Sequence, residues 1–83
     1  MPRYFFHTSD GSRDEDDVGV ILADPAEARR EAIRYGGSLL HDDPDIVDTT
    51  GGLRVEVVDE AGRLCSAVLI HAVDAERSRR SAA

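Results

Sequence analysis

The stretch from Asp24 to Leu40 constrains the fold most, because no other segment is long and periodic enough to be a helix against which the rest could pack. Its start is well defined. Asp24 can accept a hydrogen bond as N-cap, Pro25 suits the first helical position, and Glu27 stands where a capping box places a carboxylate. At 100° per residue, Ala28, Ala32, Tyr35, Gly36 and Leu39 form one stripe with Ile33 and Leu40 on its flank, while Glu27, Arg30, Glu31, Arg34 and Ser38 lie opposite. Ala28, Ala32 and Gly36 recur every four residues, a ridge without bulk that lets a helix approach a sheet closely. Gly36 and Gly37 together cost roughly 2 kcal/mol against two alanines, so a stop at Tyr35 is conceivable. Continuation is expected because Leu39 and Leu40 then land on the buried side.

A chain of 83 residues makes one domain, and at this size only about 60% of the unfolded surface is buried. A small core is expected and a deep enclosed active site is not. The formal charge of -7 weighs against a phosphate-binding surface, since nucleic-acid affinity comes largely from Lys and Arg releasing counterions. Cys65 is the single cysteine and has no intramolecular disulfide partner. With neither a signal-peptide core nor a long apolar run, a reducing, cytoplasmic location without membrane contact is expected.

Arg3 to Thr8 reads as a strand with Tyr4, Phe6 and Thr8 on one face and Arg3, Phe5 and His7 on the other. Turn chemistry at Ser9 to Ser12 and the acidic run Asp14 to Asp17 precede a second strand at Gly19 to Leu22, expected to pair back on the first. His41 to Gly52 has no apolar period and reads as a connecting loop. Leu53 to Asp59 and Arg63 to His71 then flank Glu60-Ala61-Gly62, a hairpin loop with Gly where a left-handed residue is needed. Setting Asp59 opposite Arg63 and extending that register pairs Val57 with Cys65, Val55 with Ala67 and Leu53 with Leu69, giving one apolar face for the helix. The expected fold is α+β: a four-stranded, largely antiparallel sheet in the order ββαββ, with one helix on one face. Residues 1–73 form the domain, and residues 74–83 an Arg-containing tail.

The opening Met1-Pro2-Arg3-Tyr4-Phe5-Phe6-His7, followed by Asp10-Gly11, Gly19-Val20, the helix start at Asp24 and the turn Asp59-Glu60-Ala61-Gly62-Arg63, resembles a family of small bacterial proteins. That family is common in alphaproteobacteria and classified as a domain of unknown function. The resemblance covers most of residues 1 to 73 and implies one small α+β domain; it assigns no activity, substrate or catalytic residue. Gly36-Gly37 stands where the relatives resemble an Ala-rich helix continuation.

Asp10, Ser12, Asp14 and Asp16 place oxygen side chains at every second position, as a calcium loop does, but the sixth and twelfth positions hold Glu15 and Ile21 rather than Gly and Glu. A solvated acidic turn is the plainer reading, with a weak cation site the alternative. His41, Asp42, Asp43 and Asp45 offer one imidazole and three carboxylates, yet a zinc or transition-metal site would need a second histidine from elsewhere. Otherwise His41 complements the helix dipole. Cys65 and His71 share a strand face but lie roughly 20 Å apart at about 3.3 Å per residue, too far for a catalytic dyad. His7 could approach Cys65 from another strand, although a cysteine among apolar partners reads as a small buried hydrophobe. Arg77, Arg79 and Arg80 form a basic patch on the tail, expected to be solubilising rather than RNA-binding.

No cofactor or catalytic group follows from these motifs. The expected function is a non-enzymatic interaction module that self-associates and engages a partner with a basic surface; the alternative is a small-ligand or divalent-metal-binding protein using the acidic loops. In the register above, Arg54, Glu56, Val58, Leu64, Ser66, Val68 and Ile70 face away from the helix, and four of the seven are apolar. Such a patch on a small domain is expected to mark an interface, here a homodimer through Val58, Leu64, Val68 and Ile70 with Arg54 and Glu56 at the rim; the alternative is that the N-terminal strand or the Asp42 to Gly52 loop covers this face within one chain.

Overall fold

The computed structural model describes residues 1–48 and 51–75. Within them lie β1 (Arg3–Ser9), β2 (Arg13–Asp14), β3 (Val20–Ile21), α1 (Pro25–Asp42), a 3-10 turn (Pro44–Asp48), β4 (Leu53–Val58) and β5 (Leu64–Ile70). The sheet is antiparallel in the order β2-β1-β4-β5, and β3 also pairs with β1, Tyr4 opposite Val20. The expected second strand, Gly19 to Leu22, is found as the short β3 paired with β1; β2 is an additional two-residue strand where turn and acidic run were expected, and one helix packs on one face of the sheet. The arginines Arg77, Arg79 and Arg80 lie outside the described residues.

The helix begins where its capping chemistry requires: the Asp24 carboxylate accepts the Glu27 N–H at 2.8 Å and Pro25 follows. It runs through both glycines to Asp42. Ala28, Ala32 and Gly36 are its buried residues, set over β4 and β5, so the small-residue ridge permits the close approach. A Cβ on Gly36 would stand 3.0 Å from Ile70 Cδ1, whereas one on Gly37 would meet nothing within 4 Å. Beneath the ridge, Leu53, Val55 and Val57 are fully buried, flanked by Tyr4 and Phe6 of β1.

The segment expected to be a plain loop is partly structured. The Asp43 N–H bonds the Leu39 carbonyl, and the 3-10 turn that follows packs Ile46 and Val47 against the core.

The second hairpin departs from the expected register. Its turn forms as anticipated: the Asp59 N–H bonds the Arg63 carbonyl, and Gly62 has φ 82. Val58 pairs with Leu64, but the ladder then shifts, and Val57 pairs with Ser66, Val55 with Val68 and Leu53 with Ile70. The extra residue is Cys65, a β-bulge that one inserted position suffices to make. Because side chains alternate with a period of two, the bulge exchanges the faces of the rest of β5. Ser66, Val68 and Ile70 turn toward the helix and are half-buried, while Cys65, Ala67 and Leu69 are exposed. Cys65 is thus not a buried hydrophobe, and Val68 and Ile70 do not belong to an outward-facing interface.

Candidate functional site

The two edges of the sheet are built differently. Along the outer edge of β1, β2 pairs near Ser9 and β3 near Arg3, leaving Phe5 to His7 without a strand between them. Asp16 fills that gap. Its Oδ2 accepts the Phe6 N–H at 3.2 Å, and its Oδ1 accepts the N–H groups of Val18 at 2.9 Å and Gly19 at 3.1 Å. The Asp16 N–H in turn donates to His7 Nδ1 at 3.0 Å. Burial pushes the Asp16 carboxyl up, but the backbone N–H groups of Gly19, Val18 and Phe6, with His7 nearby, outweigh it and hold the group below its usual range. Gly19 permits the tight return: its φ is 76, and a Cβ there would stand 2.9 Å from both Arg3 Cγ and the Tyr4 carbonyl oxygen.

At the opposite edge, β5 pairs with β4 on one side and with no described strand on the other. Its sequence, Leu64-Cys65-Ser66-Ala67-Val68-Leu69-Ile70, carries no charge and no proline. Leu64 and Leu69 are each 55% exposed. Both lie on the face of the sheet away from the helix, with Val58 and, from β1, Phe5. Of the residues expected on this face, Val58, Leu64, Arg54 and Glu56 are found there, Val68 and Ile70 are not, and Ala67 and Leu69 take their place.

A charged row crosses the same face. Arg54 Nε donates to Glu56 Oε2 at 2.7 Å and Arg13 Nη2 to Glu56 Oε1 at 3.1 Å, while Arg13 Nε reaches Glu15 Oε2 at 3.0 Å. The Arg54 hydrogen bond first, and Arg13 second, hold the Glu56 carboxyl low against the opposing effect of burial. Arg54 and Glu56 therefore pair within one chain. His7 stands opposite Glu56 on β1, and β4 separates it from Cys65.

The candidate metal ligands are not brought together. Both carboxylate oxygens of Asp16 are occupied by backbone donors. Asp10 and Asp14 lie along a groove, Asp43 caps the helix C-terminus, and His41 and Asp45 are exposed. Among the described residues, no group of three or more His, Cys, Asp or Glu side chains is placed to hold a metal ion.

One concavity was not foreseen. The helix covers β4 and β5, so the helix-side face of β1 stays partly open, a groove of about 380 Å³ with Phe6 and Thr8 on its floor, Glu31 and Tyr35 on one wall and Asp14, Asp16 and Val20 on the other. Tyr35, placed by its period in the buried stripe, is 40% exposed here. Its position at the margin of that stripe, rather than the centre held by Ala28, Ala32 and Gly36, is the signal that could have revealed the groove.

The fold and its surfaces define a one-helix α+β domain with one sealed sheet edge and one, at β5, that has no described strand beside it. The chain belongs to the family described as Domain of unknown function (DUF6894), whose model matches residues 3–71. No curated protein and no solved structure matches it. Among the described residues no helix is long and apolar enough to cross a membrane.

Proposed function

We propose that this chain is a non-enzymatic protein-interaction module that self-associates, probing its surroundings through β5 and the apolar strip beside it. The observation that supports this is the pairing of an open strand edge with uncharged, exposed side chains: Leu64, Cys65, Ala67 and Leu69. Folded chains ordinarily guard such an edge with charge, proline or a covering element. A contiguous apolar patch on a small domain also costs solubility unless something covers it. The net charge of -7 gives any further partner a basic surface. Gel filtration coupled to light scattering at micromolar concentration tests the reading: the expected mass is twice that of the 9.0 kDa chain, and a monomer throughout would contradict it.

The groove beside Tyr35 supports a second reading, a small-ligand site. Phe6 and Tyr35 offer apolar and aromatic surface and Asp14 a carboxylate, a set suited to a small cationic molecule. Thermal-shift and calorimetric titration with organic amines, and with calcium, zinc and manganese, checks it. No heat and no change in melting temperature would remove this reading.

A further inference from the structure

We infer that His7 is a proton-operated latch on the guarded edge of β1: its neutral imidazole holds residues 15–19 against the strand, and a proton on Nδ1 releases them. This stands apart from self-association, because it concerns the opposite edge of the sheet.

The latch is built from one hydrogen bond and what hangs on it. The Asp16 N–H donates to His7 Nδ1 at 3.0 Å, so that nitrogen carries the lone pair and the ring proton sits on Nε2. A proton added at Nδ1 would set two donors face to face, and the bond is lost. Asp16 is also the residue that ties the segment together, its carboxylate accepting the N–H groups of Phe6, Val18 and Gly19. Main chain and side chain of Asp16 thus grip β1 at adjacent residues, His7 and Phe6. Losing the first grip loosens the second.

The surrounding charges welcome the proton and draw the ring away. Opposite His7 on β4 stands Glu56, which pairs with Arg54 and with Arg13 of β2. Glu15 and Asp16 approach from the acidic run, and Arg3, further along the same face of β1, is held on the Val18 carbonyl. A charged imidazole is attracted to Glu56 and competes with Arg13 for it, whereas the Asp16 N–H repels it.

Release bears on two surfaces at once. The Phe6 N–H loses its acceptor, which reopens the β1 edge. Asp14, Asp16 and Val20 are also one wall of the groove over Phe6 and Thr8, so that wall is freed by the same proton. The carboxyls do not share the titration window. Against burial, backbone N–H groups hold Asp16 low; Arg13 does so for Glu15, and Arg54 and then Arg13 for Glu56, so all three stay ionised where a histidine changes charge.

NMR of the full chain from about pH 8 to about pH 5, with ring and amide resonances followed together, tests the latch. Nδ1 is expected to be the unprotonated ring nitrogen at the upper end, and the Asp16 amide proton should shift along the titration curve of the His7 ring. Hydrogen-exchange protection of the Phe6 and Asp16 amides, corrected for the intrinsic rate, should fall at least about tenfold over the same range, while β4 amides do not change. His7→Asn keeps a neutral acceptor that takes no proton, and its protection should stay flat. A wild-type His7 ring that is protonated on Nδ1 at the upper end, or that takes no proton in this range, would overturn the latch. So would flat Asp16 protection while the ring titrates, or an equal fall in His7→Asn.

Discussion

The edge at β1 and the edge at β5 pose the same physical problem, a row of backbone N–H and C=O groups facing outward, and the described residues answer it at one of them only. At β1, two short strands and a carboxylate consume the donors, and the acidic run around Asp16 keeps charge beside them. At β5, among the described residues, there is no covering strand, and the strand itself carries no charge. The contrast teaches that Asp16 of the acidic loop, which invites a metal reading, is a structural device, while the bland aliphatic strand is where the proposed partner would fit.

The sharpest way to break the comparison is to unseal the guarded edge. Asp16→Ala removes the acceptor for three backbone N–H groups, and because hydrogen bonds to a charged group are the strong kind, a loss of roughly 2–3 kcal/mol is expected in urea denaturation. A midpoint unchanged from wild type would show that water satisfies those donors equally well.

The same seal should be visible in pH. The Asp16 carboxyl is held lower in the folded chain than the ordinary value of about 3.9 in the unfolded one. The unfolded state therefore binds the proton first as pH falls. Stabilisation is complete above the unfolded value and is lost as pH falls through the folded one. Glu56, held low by Arg54 and Arg13, acts in the same direction. Wild type should lose stability below about pH 4, and Asp16→Asn should show a shallower fall between pH 5 and acid conditions; parallel curves would contradict the role given to Asp16.

At the packing between helix and β5, two glycines should part company. Gly37→Ala should stabilise by about 0.5–1 kcal/mol, having open space and a gain in helix propensity. Gly36→Ala has the same gain but presses on Ile70 Cδ1 and should fall about 1 kcal/mol or more below it. Equal effects would mean that the helix does not ride close on the sheet. Ser66→Ala should also stabilise by up to about 1 kcal/mol, because the Ser66 hydroxyl is buried with no hydrogen-bond partner among the described residues.

Much of this was legible in the sequence. The helix start follows from Asp24-Pro25, and its continuation from the positions of Leu39 and Leu40, since capping and periodicity are local. The division of β1 into two faces and the Asp59–Arg63 turn follow for the same reason. What could not be read depends on contacts between distant segments. A bulge at Cys65 leaves no local mark, because Leu64-Cys65-Ser66-Ala67 alternates equally well in two registers, and one slipped residue moved Val68 and Ile70 from the expected interface to the core side. The groove was hidden likewise: helical period orders Ala28, Gly36 and Tyr35 around an axis but does not say that the axis lies over β4 and β5. The use of Asp16 as a backbone acceptor requires knowing that Phe6, paired with Val57 on its inner side, has no described strand on its outer side.

The account's central claim is that β5 is the surface through which copies meet, and Leu69→Lys tests it most directly. Leu69 is 55% exposed, and a lysine there should leave monomer stability within about 0.5 kcal/mol of wild type, because the long side chain reaches water. Val68→Glu is the contrasting control: it points toward the helix and should cost fold stability itself. By light scattering at micromolar concentration, wild type should elute as a dimer and Leu69→Lys as a folded monomer. Equal masses for the two, whether both dimeric or both monomeric, would contradict the claim.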